Sequence, residues 1–481
     1  MTDGLSLDAP APTRPEGIDN DCWLACIDCG ATYAPFAAVR YDCDDCGGLL
    51  EVRYADLPDW DEFSGRGVWR YAAALPFETG RTGPLDTDES SGDGGRQRAA
   101  DPCGDGGRQR AADPCGDGGR QRAADPCGDG GRQRAADPSG VSLPEGDTPL
   151  YEVPRIEDEL GLDRLRVKHE GMNPTGSFKD RGMTVGVGAA AAVGVDRLAC
   201  ASTGNTSAAL AAYGARAGLE TLVLLPAGKV AAGKVAQAAL HDARILEVDG
   251  NFDDCLDIVQ DLADRGKAYL LNSLNPFRLE GQKTIGLEIL EQFRDKEGGF
   301  PDRIVLPVGN AGNTSALYKC FRELVQAGAL DRDEVPKLTG VQAAGAAPFV
   351  EAIESGAESV QRWDSVETVA TAIRIGEPVN APKSLPGVRE TGGTAVAVED
   401  EAITQAQRNL AREGIGVEPA SAASIAGLRE LRERDEIDAD ERVVCLTTGH
   451  LLKDPEAAAA AGGKPESVAA DVGAVLDLVG E

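Results

Sequence analysis

The chain has 481 residues, enough for one large or two medium cores, and aromatics make up only 5% of them, so the interior must be built from Ala, Val, Leu and Ile. A net charge of -32 excludes nucleic acid and anionic membranes as partners, because both would repel it. Of the 48 basic residues only 12 are lysine, and this arginine-weighted, strongly acidic balance fits halophilic origin, where salt screens an acidic, well-solvated surface.

The N-terminus is not charged-then-apolar, and no run of 18 apolar residues occurs. Both features predict a cytoplasmic protein without signal peptide or membrane span. Residues 1–20 are Pro-rich and acidic, the composition of a disordered segment. In residues 21–56 the pair Cys26-Ile-Asp-Cys29 is followed, after thirteen intervening residues, by Cys43-Asp-Asp-Cys46, and a glycine follows each pair. Two such knuckles predict a zinc-ribbon-like module with Cys26, Cys29, Cys43 and Cys46 as ligands of a structural zinc. Cys22 is a nearby spare thiol.

Residues 57–142 read as a linker. Within it the unit GDGGRQRAADPC occurs four times from Gly92 to Ser139, the last copy ending in serine. A period of twelve without an apolar face cannot stack as a solenoid, so these repeats are predicted to be disordered.

The body spans 143–455, with a short Ala-rich tail at 456–481. It opens on Gly146-Asp-Thr-Pro-Leu150 and then Asn173-Pro-Thr-Gly-Ser-Phe-Lys-Asp-Arg-Gly182. In the second string Ser177 suits a helix N-cap, which places Lys179 in the first turn, at the positive end of the helix dipole. That position lowers an amine's pKa and makes Lys179 a candidate nucleophile. A solvated lysine at a helix start has the same local sequence.

Beyond it, the apolar runs LACAS, TLVLLP, ARILEVD, AYLLN, RIVLPVG and KLTGVQA alternate with Ala-rich stretches of helical period. This order predicts an α/β fold with doubly wound, mostly parallel sheets and ligands beyond the strand C-termini. Two strand ends share one pattern: Ser202-Thr-Gly-Asn-Thr206 and Gly309-Asn-Ala-Gly-Asn313 both lead from a strand into a helix. Each offers free backbone N–H groups to an anion.

The string Asn173 to Gly182 resembles the lysine motif of fold-type II pyridoxal 5'-phosphate (PLP) enzymes, and within them the threonine synthase family. The resemblance covers about 145–455, and many archaeal and bacterial members also carry the ribbon. It implies a tryptophan-synthase-β-like fold in two domains, the small one inserted at about 185–300, and a possible homodimer. Lys179 would carry the cofactor as a Schiff base and act as the catalytic residue.

Gly309, Asn310, Ala311, Gly312 and Asn313 resemble the cofactor-phosphate loop, and Asn205 the partner of the phenolic oxygen. In Cys445-Leu-Thr-Thr-Gly-His-Leu-Leu-Lys-Asp454, Thr448 matches the neutral partner of the pyridine nitrogen. Leu451 stands where the family usually has glycine, which puts the local turn in doubt. Ser202, Thr203 and Thr206 belong to the substrate loop. With Thr206, the residues matching Asn272, Ser273 and Arg278 hold the phosphate of O-phosphohomoserine.

Two further family-like stretches are Thr371 to Asn380 and Gly416 to Ser424. The implied activity is a carbon-oxygen lyase acting on phosphate, a threonine synthase. Threonine/serine dehydratases and cysteate-synthase-like paralogues share the scaffold and are the competing readings, and Arg278 pairing with Glu280 is the competing local one.

Overall fold

Three sheets organise the described residues of the computed structural model, namely 5–77, 138–202, 204–228, 232–462 and 466–479. The repeats, apart from Pro138 and Ser139, and Thr203 lie outside them. In the first sheet β1 (Cys22–Cys26) runs antiparallel to both β2 (Thr32–Tyr33) and β3 (Leu50–Tyr54). Its apolar residues Leu24, Leu50 and Val52 bury together with Cys26, Cys43 and, from the body, Val185, Ala189 and Phe277. The module therefore shares a core with the body.

The remaining strands are β4 (Leu150–Glu152), β5 (Arg164–His169), β6 (Arg197–Ala201), β7 (Glu220–Pro226), β8 (Arg244–Val248), β9 (Tyr269–Leu270), β10 (Arg303–Pro307), β11 (Lys337–Ala343), β12 (Thr394–Val398) and β13 (Arg442–Thr447). Six form a sheet in the order β12-β11-β10-β13-β5-β4, parallel except for the edge strand β4. Successive residues of β13 divide between two cores, Val443 and Cys445 on one face and Val444 and Leu446 on the other. A sheet covered on both faces reads as continuous apolar runs, which is why the sequence shows them.

A second parallel sheet, β8-β7-β6-β9, is built from the excursion between β5 and β10. The α/β, doubly wound architecture predicted from the sequence is the one observed. Among the described residues no helix is long and apolar enough to cross a membrane.

Two helices join the sheets at the centre. The helix Lys179–Val193 crosses Pro276–Glu297 so closely that a Cβ on Gly281 would stand 1.8 Å from the carbonyl oxygen of Arg181. Only glycine fits there. Beside the crossing, buried Arg181 bonds Glu170 at 2.6 Å and Glu288 at 2.9 Å, and Lys168 bonds Glu288 at 2.5 Å. The same carboxylates accept from Thr148 N (2.8 Å), Asp147 N (3.0 Å) and Asn173 Nδ2 (2.8 Å), tying the GDTPL entry and the lysine motif into one network.

Two expectations are corrected. The segment before residue 20 is not wholly outside the fold: Leu5 and Leu7 are buried, Tyr318 donates to Leu5 O at 2.5 Å, and Leu7 N donates to Glu390 at 2.8 Å. A Pro-rich composition hid two leucines with a place in the core. Nor does Ser177 cap the lysine helix, whose first residue is Lys179 and whose cap position is Phe178, without a side-chain bond. From inside the helix Asp180 instead closes the preceding turn, accepting from Thr175 N (2.6 Å) and Oγ1 (2.5 Å), while Ser177 bridges to Gly449.

Candidate active site

Lys179 opens the first of the two central helices, beside the end of β13 and within electrostatic reach of Arg278, at the start of the second helix, and of Glu418. Phe178 N donates to Thr448 O at 3.0 Å, and His450 N to Gly176 O at 2.9 Å, so the lysine motif is laced to the end of β13. The Lys179 Nζ lies 4.0 Å from the centroid of the Phe178 ring. Its pKa is lowered to about 7, first by burial and then by Arg278, with Glu418 opposing. An amine in that range is largely able to act as a nucleophile or base near neutrality.

Arg278 sits in the first turn of Pro276–Glu297, which Asn275 caps through Phe277 N at 3.0 Å. It is 2% exposed, and its Nε is buried with no hydrogen-bond partner. Every other buried arginine among the described residues has a carboxylate: Arg166, Arg181, Arg303 and Arg322 pair with Glu157, Glu170, Glu441 and Glu51. The alternative of Arg278 pairing with Glu280 does not hold, because Glu280 is occupied by Lys283 (2.7 Å) and Lys319 (3.1 Å). A buried cation with no internal partner is costly unless an anion from outside completes it.

The Gly309–Asn313 loop follows β10 and opens the helix Gly312–Ala327. Ala311 is left-handed there (φ 57°), an uncommon conformation for a residue with a Cβ. None of the five backbone N–H groups from Gly309 to Asn313 finds a protein acceptor among the described residues. Around the loop Asn313 Oδ1, Thr314 Oγ1, Gln282 Oε1 and Asn380 Oδ1 are buried without partners. Buried polar groups are rarely left unpaired, so this concentration marks a place built for a polar ligand.

Asn380 links this loop to the stretch from Asn272 to Arg278: its N–H donates to Asn310 O at 3.1 Å and its Nδ2 to Ser273 O at 3.0 Å. Asn272 is half-buried and accepts from Leu274 N at 3.0 Å. After β6, Ser202 accepts from Gly204 N at 3.3 Å, and Asn205 and Thr206 begin the helix Asn205–Ala217. Thr203 lies outside the described residues.

Besides Asn380, three further residues that the sequence leaves unassigned join the site. Asn205 Nδ2 donates to both oxygens of Glu418, each at 3.1 Å, and burial raises the pKa of that carboxyl. Glu418 in turn packs on Gly449, where a Cβ would come within 2.4 Å of Oε1. Ser421 bonds Thr448, and Lys453 Nζ donates to Thr175 O at 3.0 Å and Gln237 Oε1 at 2.7 Å. The stretch Gly416 to Ser424 contained Glu418 and Ser421, but nothing in one sequence says that they face Asn205 and Thr448.

Leu451 does not disturb the turn. Its N–H donates to Gly416 O at 3.2 Å, and His450 Nδ1 accepts from Leu452 N at 3.2 Å. His169 is no base of consequence, since burial and His450 hold its pKa down to about 4 and its Nδ1 meets Thr447 Oγ1 at 2.9 Å.

Away from this site, the Sγ atoms of Cys26, Cys29, Cys43 and Cys46 lie within 4.8 Å of one another. Cys22 is not among them and donates instead to Pro76 O at 3.7 Å. The Cys29–Cys43 and Cys26–Cys46 sulfur pairs, at 3.4 and 3.5 Å, have the tetrahedral-scale spacing of a closed four-thiolate site.

The sequence family of pyridoxal-phosphate dependent enzymes matches residues 141–449. The threonine synthase of Methanosarcina acetivorans is 48% identical over 462 residues, covering 95% of this chain and 98% of its own. That of Methanocaldococcus jannaschii is 47% identical over 468 residues (95% and 99%), and that of Mycobacterium leprae is 46% identical over 342 (71% and 91%). Among solved structures, tomato threonine deaminase isoform 2 superposes with TM-score 0.55 at 22% identity (65% of this chain, 83% of that one). Escherichia coli diaminopropionate ammonia lyase gives 0.56 at 17% (66% and 88%). The structural likeness fixes the fold, and the sequence likeness over nearly the whole length goes further: the chain belongs to the threonine synthase family of pyridoxal-phosphate dependent lyases.

Proposed function

We propose that this chain converts O-phospho-L-homoserine and water to L-threonine and phosphate in a salt-rich cytoplasm. The observation that carries the substrate reading is Arg278, a buried guanidinium without a carboxylate beside the reactive lysine. A phosphate dianion supplies the missing charge, and Ser202, Thr206, Asn272 and Ser273 add hydroxyl and amide contacts.

The residues also fit PLP. Five unbonded N–H groups from Gly309 to Asn313 suit its phosphate, Asn205 its phenolic oxygen and Thr448 its ring nitrogen, with Lys179 as the attachment point. When bound, this cofactor supplies the electron sink for the charge left at Cα. Lys179, whose neutral form is well populated near pH 7, removes the Cα proton and returns one at the end. Arg278 holds the phosphate while a second proton passes from Cβ to the departing γ-phosphate; the proton held by Lys179 is delivered to Cγ to complete the methyl group, and water then adds its oxygen at Cβ and gives up a proton to the lysine. A carboxylate on the ring nitrogen would favour its protonation. The hydroxyl of Thr448 does not, so hydrogen bonding tunes the sink.

Cys26, Cys29, Cys43 and Cys46 hold a structural zinc with no open position for water. Comparing O-phosphohomoserine with phosphoserine and threonine tests the substrate, since activity confined to either of the last two would replace it.

A further inference from the structure

Ser421 lies in the first turn of the helix Pro419–Glu433, fully buried, and four atoms stand within hydrogen-bond distance of its hydroxyl. Thr448 N is at 2.9 Å, Gly449 N at 2.8 Å, Thr448 Oγ1 at 2.9 Å and Gly449 O at 3.2 Å. A hydroxyl has two lone pairs and one proton. The two backbone N–H groups can only donate, so they take both lone pairs. Ser421 therefore cannot accept from Thr448.

Its single proton has two possible acceptors. The Gly449 carbonyl is the farther one and already receives Glu418 N–H at 3.1 Å. Thr448 Oγ1 is nearer and has no other hydrogen bond among the described residues. We propose that Ser421 is a positioning residue that donates to Thr448 and thereby turns the Thr448 proton outward, toward a ligand atom that only accepts.

This rests on the reading of Thr448 as the partner of the cofactor ring nitrogen. A buried hydroxyl left without an acceptor is unfavourable, so a Thr448 oriented in this way selects the unprotonated ring nitrogen over the protonated one. Without Ser421 the Thr448 hydroxyl is free to rotate and to accept from a protonated ring. The serine thus acts on the cofactor's electronics without touching it.

The test uses the full-length chain loaded with pyridoxal phosphate carrying 15N in the ring, and reads the ring-nitrogen resonance together with cofactor affinity. In the parent protein the resonance is expected at the unprotonated position. Ser421→Ala should move it toward the protonated position and weaken cofactor binding by roughly three- to tenfold. Ser421→Thr, which restores the hydroxyl, should bring both back.

An Ala variant whose resonance matches the parent's, while Thr448→Val displaces it, overturns the role of Ser421 and leaves the reading of Thr448 standing. A resonance unmoved by Thr448→Val overturns that reading and the inference with it. Should the Ala variant fail to fold, Ser421→Cys keeps the shape with a poor donor: a displaced resonance supports the proposal and an unmoved one refutes it.

Discussion

Arg278 lowers the pKa of Lys179 across the crossing of two helices: after burial, its charge is the next cause that brings the amine to about 7. One cation thus adds to burial in bringing another into the range where its neutral, reactive form is populated at pH 7. The arrangement is possible because Arg278 has no carboxylate partner of its own.

Replacing Arg278 with Gln should raise the Lys179 pKa, leaving less neutral amine at pH 7. In the parent, the rate at which apoprotein captures pyridoxal phosphate should rise with pH through about 7. The Gln variant should show that rise at higher pH. The KM for O-phosphohomoserine should also increase about ten- to a hundredfold, from loss of a charge-assisted contact. An unchanged capture midpoint would remove Arg278 from the neighbourhood of the amine.

Glu418 has the opposite sign. Its charge raises the Lys179 pKa, so Glu418→Gln should move the capture midpoint to lower pH. The same substitution weakens the anchoring of Asn205, whose Nδ2 now bonds both carboxylate oxygens. A shift of the midpoint in the same direction as that of the Arg278 variant would contradict this electrostatic assignment.

Arg181, two residues from Lys179, has a structural task. Its guanidinium is shared between Glu170 and Glu288, all three fully or nearly fully buried. Arg181→Met leaves two carboxylates under-compensated and should cost about 3–5 kcal/mol of stability in denaturant titration. A loss below about 1 kcal/mol, the level of an exposed pair, would show that the network is dispensable.

Much of this architecture is legible in the sequence, and the omissions have physical causes. The six apolar runs are the strands β6 to β11, and all but the edge strand β8, whose residues are exposed or half-buried, are buried on both faces. The strand β5 reads RLRVKH and was not recognisable, since its polar residues Arg166, Lys168 and His169 are buried through partners distant in sequence, such as Glu297 and Glu288. Lys179, the two glycine loops and Arg278 announce themselves by motif. Glu418, Ser421 and Asn380 do not, because their meaning lies in contacts that only the folded chain creates. Ser177 has the residue type of an N-cap but not its place, because the helix starts two residues later and Asp180 closes the preceding turn from inside it.

The cysteine module bears on the site through packing. Phe36 stacks on Phe277 at 5.4 Å, and Phe277 precedes Arg278. One zinc per chain is expected by elemental analysis, lost in a Cys29→Ser/Cys46→Ser variant. Its loss should lower the melting temperature and raise KM more than it lowers kcat. A variant without zinc but with unchanged KM would show that the module does not support Arg278.

The most direct measurement is steady-state product formation from O-phosphohomoserine in multimolar potassium chloride with added pyridoxal phosphate, for the parent and Lys179→Ala. Phosphate and threonine released in equal amounts, and abolished by the substitution, are expected. Phosphate release without threonine, or activity that survives loss of Lys179, would contradict the assignment of this site.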